Sequence, residues 1–145
     1  MKKALHVYVD GGSRGNPGQA AIGGVVFLKG ERKPLFTFSK RIGIATNNEA
    51  EYKAVIEALR LVKERIGKVE EVVFFLDSKL VVNQLNGLFK VKKGNLRELV
   101  FKIRIIENEL GGKITYSLVP REKNKMADKL VNLALDSFEQ LSDSS

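Results

Sequence analysis

Apolar positions along this chain recur first with a period of two and then with a period near 3.6, and the change separates strands from helices. Leu5–Asp10 reads as a short strand that ends in a carboxylate. The glycine-rich stretch Gly11–Gly18 (GGSRGNPG) reads as a loop, and Ala20–Leu28 (AAIGGVVFL) as a second strand. Gly30-Glu31 makes a turn, and Pro34–Ile42 alternates as a third strand. Three such runs joined by short connections predict an antiparallel meander.

The helical period begins at Thr46. Thr46 and Glu49 have the spacing of a capping box. Ala54, Val55, Ala58, Leu59, Leu61 and Val62 then mark one face until Gly67 ends the helix. Val69–Leu76 is almost wholly apolar from Val72 onward, as expected of a central strand covered on both faces. Ser78–Leu85 predicts a short helix. A basic link, Lys90–Gly94, leads into a longer helix, Asn95–Leu110, with Leu96, Leu99, Val100, Ile103 and Ile106 on one stripe. Ile114–Val119 is a fifth strand. Lys123–Leu141 is the last helix, with apolar surface from Leu130 to Phe138, and Ser142–Ser145 is expected to be a disordered tail. The order β-β-β-α-β-α-α-β-α predicts an α/β domain built on a mixed sheet with helices on its faces. In such a sheet the first strand can lie beside the fourth.

Four carboxylates occupy telling places in this scheme. Asp10 and Asp77 end the first and fourth strands. Glu51 precedes Ala54, Val55 and Ala58 by three, four and seven residues, so it shares their core-facing stripe. Asp128 lies near the start of the last helix. If these groups converge at one sheet edge they repel one another unless divalent cations neutralise them. That is the requirement of metal-dependent phosphodiester chemistry.

Composition narrows the partners. The chain has 145 residues, enough for one domain with a real core, and carries 25 Lys and Arg against 17 Asp and Glu, a formal charge of +8. A polyanion such as nucleic acid is the natural partner for that balance. No apolar run approaches the roughly 20 residues needed to span a bilayer, so no membrane role is expected. The N-terminal MKKALHVYVD lacks the apolar length and cleavage site of a signal peptide. Cysteine is absent, which excludes disulfides and thiolate chemistry and is compatible with a reducing cytoplasm. A monomer is expected.

The motifs D-G-G-S-R-G-N-P-G (Asp10–Gly18), T-N-N-E-A-E (Thr46–Glu51), L-D-S (Leu76–Ser78) and N-K-M-A-D (Asn124–Asp128) occur in this order. Together they resemble type 1 ribonuclease H over almost the whole chain. The resemblance implies a five-stranded mixed sheet of order 3-2-1-4-5 and cleavage of the RNA strand of RNA–DNA hybrids. It places Asp10, Glu51, Asp77 and Asp128 as ligands of two Mg²⁺ (or Mn²⁺) ions, with products carrying 5′-phosphate and 3′-hydroxyl ends. It also implies hybrid contacts from Gly11, Ser13, Asn16 and Asn47 in the minor groove, and a DNA-strand phosphate held by Thr46.

The chain departs from that pattern in several places. Many bacterial members carry a histidine in the loop before the last helix, where this chain has Arg121. Arginine cannot serve as a general base at neutral pH, so any role there is electrostatic. Its one histidine, His6, is expected to be a strand residue packed under a helix. Some members insert a basic, tryptophan-bearing helix after the second helix. Tryptophan is absent here, and Lys90, Lys92 and Lys93 are the candidates to replace its phosphate contacts. Phe89 is expected to be a core contact, with stacking on a sugar as the alternative. Lys79 stands where the family often has a glutamine that contacts a base. Two other readings share the fold: a catalytically weak binder of hybrid or double-stranded nucleic acid, and a resolvase- or transposase-like DNA nuclease. The glycine spacing is also that of a nucleotide-binding loop, but no helix and no GK[ST] follow it.

Overall fold

The computed structural model describes residues 2–143, with side chains to residue 137. Three strands, β1 (Lys3–Gly15), β2 (Gly18–Leu28) and β3 (Phe36–Ala45), form the antiparallel meander. Helix α1 (Asn47–Arg65) leads to β4 (Val69–Leu76), then α2 (Lys79–Leu85), α3 (Gly94–Leu110) and β5 (Lys113–Leu118). A single 3-10 turn (Arg121–Lys123) precedes α4 (Lys125–Asp143). The sheet order is β3-β2-β1-β4-β5, with β4 parallel to both β1 and β5. This is the mixed sheet that the resemblance implies. Among the described residues, no helix is long and apolar enough to cross a membrane.

One face of the sheet carries the main core. Leu5, Val7 and Val9 of β1 and Phe74 and Leu76 of β4 meet Val55, Leu59 and Val62 of α1 and Leu99 and Ile103 of α3. The opposite face is covered by α4, which packs on β2, β1 and β3 through Ala21, Val131, Ala134 and Leu135.

Several boundaries differ from the sequence expectation, each for a local reason. Residues 11–15 continue β1 rather than forming a loop, pairing with β2 down to Gly15 opposite Gly18. Among their glycines, Gly11 marks a close helix approach within the strand. The third strand begins at Phe36 and runs on to Ala45, because a register shift opposite Ala20/Ala21 skips Ile42 and breaks the alternation. Helix α4 starts at Lys125, since residues 121–123 wind more tightly. It runs to Asp143, past the expected end at Leu141; of the expected tail, Ser144 and Ser145 lie outside the described residues, and the side chain of Phe138 is likewise outside them. Strand β4 is not covered on both faces: Val73 and Phe75 are only half-buried, because α4 crosses the sheet on the β1–β3 side. For the same reason His6 is not under a helix. It is half-buried, sets its ring edge-on to Phe75 at 5.3 Å, and borders a surface hollow with Tyr8 and Phe27.

Candidate active site

Strands β1 and β4 run parallel with Tyr8 opposite Phe75, so Asp10, midway along β1, and Asp77, just past the carboxyl end of β4, emerge side by side where the pairing of the two strands ends. Two glycines let helices close on this point. A Cβ on Gly11 would lie 2.3 Å from the Ala50 carbonyl carbon and oxygen. A Cβ on Gly23, which pairs with Asp10, would lie 2.7 Å from the Ala127 carbonyl oxygen of α4. Only hydrogen fits at either position. Gly11 thus brings α1 and Glu51 onto β1, and Gly23 brings α4 and Asp128 onto β2.

Carboxylate oxygens of Asp10, Glu51 and Asp77 lie within 4.8 Å of one another. Asp10 is 8% and Glu51 6% exposed. The backbone N–H of Gly11 donates to Glu51 Oε1 at 3.3 Å, whereas Oε2 is buried with no hydrogen-bond partner. Asp128 borders the same cavity, of 440 Å³, but stands outside the cluster of three. It projects from a separate helix, and the negative charges of Asp10 and Asp77 oppose its closer approach.

Burial is the main cause of the abnormal acidity here. It pushes Asp10 up to about 6, reinforced by the charges of Asp77 and Asp128 and opposed by a hydrogen bond with Glu51. Glu51 is raised well above the usual carboxylate range, first by burial and then by the charge of Asp10. Such a group of oxygens, one of them buried without a donor, fits a hard divalent cation.

Asn124 braces the cluster. It is 1% exposed, and its Nδ2 donates to Val9 O at 2.9 Å and to Asp77 Oδ2 at 3.4 Å. Its own carbonyl accepts from the Asp128 N–H at 3.1 Å. One side chain and its backbone therefore join the middle of β1, Asp77 and the first turn of α4. Its motif is visible in the sequence, but its bracing role follows only from its burial.

The expected substrate residues form one hydrogen-bonded edge beside the carboxylates. Ser13 N donates to Asn47 Oδ1 at 2.9 Å, and Asn47 N donates to Asn16 Oδ1 at 3.0 Å. The Nδ2 donors of Asn16 and Asn47 have no partner among the described residues. Thr46 and Glu49 complete the capping box, at 3.1 and 2.8 Å. Gly11 differs from the others, since its N–H is already engaged by Glu51. Asn48, which motif spacing did not single out, borders both the main cavity and a second one of 230 Å³ lined by Asn16, Thr46, Asn47 and Lys93. Arg121 borders the main cavity. Lys90 and Lys92 are exposed and border neither. Phe89 is 47% exposed and is not a core contact.

Residues 8–134 match the family described as "Reverse transcriptase-like". Over 134 residues the chain is 40% identical to "Ribonuclease HI" of Halobacterium salinarum, covering 91% of this chain and 64% of that protein. The crystal structure of RNase H1 from that archaeon superimposes with a TM-score of 0.86 at 37% identity, covering 92% of this chain and 98% of the other. The chain belongs to the type 1 ribonuclease H family. A second family structure, LC11-RNase H1 in complex with an RNA/DNA hybrid, gives a TM-score of 0.85 at 41% identity, covering 92% of this chain and 97% of that one. "Bifunctional protein Rv2228c" of Mycobacterium tuberculosis is also 40% identical over 134 residues. The ribonuclease H domain described here spans only 36% of that relative's length.

Proposed function

We propose that this protein is an endoribonuclease that hydrolyses the RNA strand of RNA–DNA hybrids, leaving 5′-phosphate and 3′-hydroxyl ends. The observation that carries the reading is the cluster of Asp10, Glu51 and Asp77, with a buried, unpartnered Glu51 oxygen, opening onto a polar cavity. The similarity to an RNase H1 solved with an RNA/DNA hybrid supports the substrate class. Asp10, Glu51, Asp77 and Asp128 would hold two Mg²⁺ (or Mn²⁺) ions, which supply water activation and a counter-charge for the leaving oxygen.

The chain's own groups account for the rest. Asn124 keeps Asp77 and the start of α4 against β1, so the carboxylates are positioned before substrate arrives. Asn16 and Asn47 border the second cavity, and their amide donors suit ribose 2′-hydroxyls, the groups that distinguish RNA from DNA. Thr46, next to the N-terminus of α1, suits a phosphate of the DNA strand. Arg121 adds positive charge at the cavity rim without accepting a proton.

The test is incubation with end-labelled RNA–DNA hybrid in Mg²⁺ or in EDTA, with single-stranded RNA, duplex RNA and a four-way DNA junction in parallel. The reading requires RNA-strand cleavage of the hybrid in Mg²⁺ alone. Intact hybrid under both conditions identifies a binding module, and preferential junction cleavage identifies a DNA nuclease of the same fold.

A further inference from the structure

Residues 90–93 form the last part of the connection from α2 to α3, without regular structure, and present Lys90, Lys92 and Lys93 to solvent. A lysine-rich connection of this kind is ordinarily a mobile, solvated loop. Here it is tied down along its length. Gln84 Nε2 donates to Lys90 O at 3.4 Å, and Gln84 is itself buried against the Tyr52 hydroxyl. Val91 packs its side chain on the main core. Arg97 reaches back from the start of α3, where Nε donates to Val91 O and a terminal nitrogen to Lys92 O, both at 2.9 Å. Asn95 Nδ2 donates to Glu49 Oε2 at 3.1 Å, joining the same stretch to the capping box of α1.

Arg97 is the member of this set that helix stability does not explain. A cation near a helix N-terminus opposes the helix dipole. Lys93, at the N-cap of α3, makes no side-chain capping bond either. What the guanidinium does is clamp two successive carbonyls with a planar fork that a lysine lacks. With those carbonyls held and Val91 turned inward, Lys92 and Lys93 project outward, and Lys93 borders the cavity shared by Asn16, Thr46 and Asn47.

We propose that Arg97 is a positioning residue that holds residues 90–93 as a preformed cationic ridge for the phosphates of a bound nucleic-acid strand. The inference rests on the hybrid-binding reading above and adds a residue whose donors are directed to the protein backbone instead of the ligand. A preformed ridge avoids ordering the loop at the moment of binding, so its effect falls on affinity and not on the chemical step.

The experiment compares the whole chain with Arg97→Ala, Arg97→Lys, the pair Lys92→Ala/Lys93→Ala, and the triple variant. Its readouts are kcat and KM on RNA–DNA hybrid in Mg²⁺, and hybrid Kd in EDTA over a range of KCl. Arg97→Ala is expected to raise KM and Kd about 3- to 10-fold, with kcat within about twofold. Arg97→Lys keeps the charge but loses the fork, so it should behave like alanine. In the Lys92/Lys93 double-alanine background, Arg97→Ala should add nothing further. Rescue by lysine, or an additive loss in the triple variant, would make Arg97 a phosphate contact itself and overturn the proposal. An unchanged KM and Kd for Arg97→Ala would overturn it too. If the lysine pair alone leaves Kd and its salt slope unchanged, the ridge reading fails along with it. Cleavage is scored separately, so an inactive wild-type chain that still shows the affinity pattern would sink the nuclease reading and leave this one standing.

Discussion

Replacing Gly11 by alanine tests whether the approach of α1 to β1 sets the active site. The added methyl would lie 2.3 Å from the carbonyl carbon and oxygen of Ala50 and 2.7 Å from the Glu51 nitrogen, where ordinary contact begins at 3.4 Å. All three neighbours are backbone, so no side chain can turn aside. Relief requires α1 to withdraw by about 1 Å, a displacement typical of overpacked sites that cost about 1–3 kcal/mol. The same movement lengthens the Gly11 N–H to Glu51 bond, already 3.3 Å, and carries Glu51 away from Asp10 and Asp77. Misplacement of a catalytic group on this scale can lower kcat by about 100-fold. Urea denaturation followed by circular dichroism reports the first effect, and turnover of labelled hybrid in saturating Mg²⁺ reports the second. An unchanged denaturation midpoint with wild-type turnover would refute the packing account. A lowered midpoint with wild-type kcat would refute the link from that packing to Glu51.

Four further outcomes are expected. Asp10→Asn should abolish cleavage while hybrid affinity in EDTA stays close to wild type. The same variant bears on pH. The pKa of Asp10 is raised by folding from 3.8 to about 6, so its contribution to stability is complete below the lower value and lost as pH rises through the higher one. The metal-free Asp10→Asn protein should therefore melt above wild type at about pH 7.5 and converge with it at acid pH, and equal melting points at both would contradict the buried-charge reading. Arg121→Ala should lower kcat by less than about 100-fold, since the residue supplies charge and no proton transfer; a dead variant in the hybrid assay would show a larger role. Hybrid affinity should fall steeply with KCl because phosphate contacts release counterions, and a flat titration would leave the lysine surface without that function.

Much of the site was legible because its chemistry is attached to local signals. Asp10 and Asp77 terminate apolar runs, Glu51 sits on a stripe with Ala54, Val55 and Ala58, and Thr46 with Glu49 announces the helix start. These are properties of neighbours in the chain, and hydrophobic periodicity together with capping chemistry determines them wherever the segment folds. The glycines of residues 11–18 were harder to place. Their composition signals a turn, yet Gly11 and Gly12 lie within a strand, and Gly11 is needed because α1 approaches so closely.

Tertiary structure alone decided the remainder. The placement of α4 over β1, β2 and β3 leaves His6 and Phe75 half-covered and sets Asp128 apart from the other three carboxylates. Asn124 becomes a brace only when Val9 O and Asp77 come within its reach, 115 and 47 residues away along the chain. The lysines of residues 90–94 become a fixed surface only through Arg97, Gln84 and the core contact of Val91. The physical reason is common to all of them. The amino-acid order sets which groups a segment carries and which face it buries, whereas burial depth, raised carboxylate pKa and shared hydrogen bonds depend on what other segments bring to the same place.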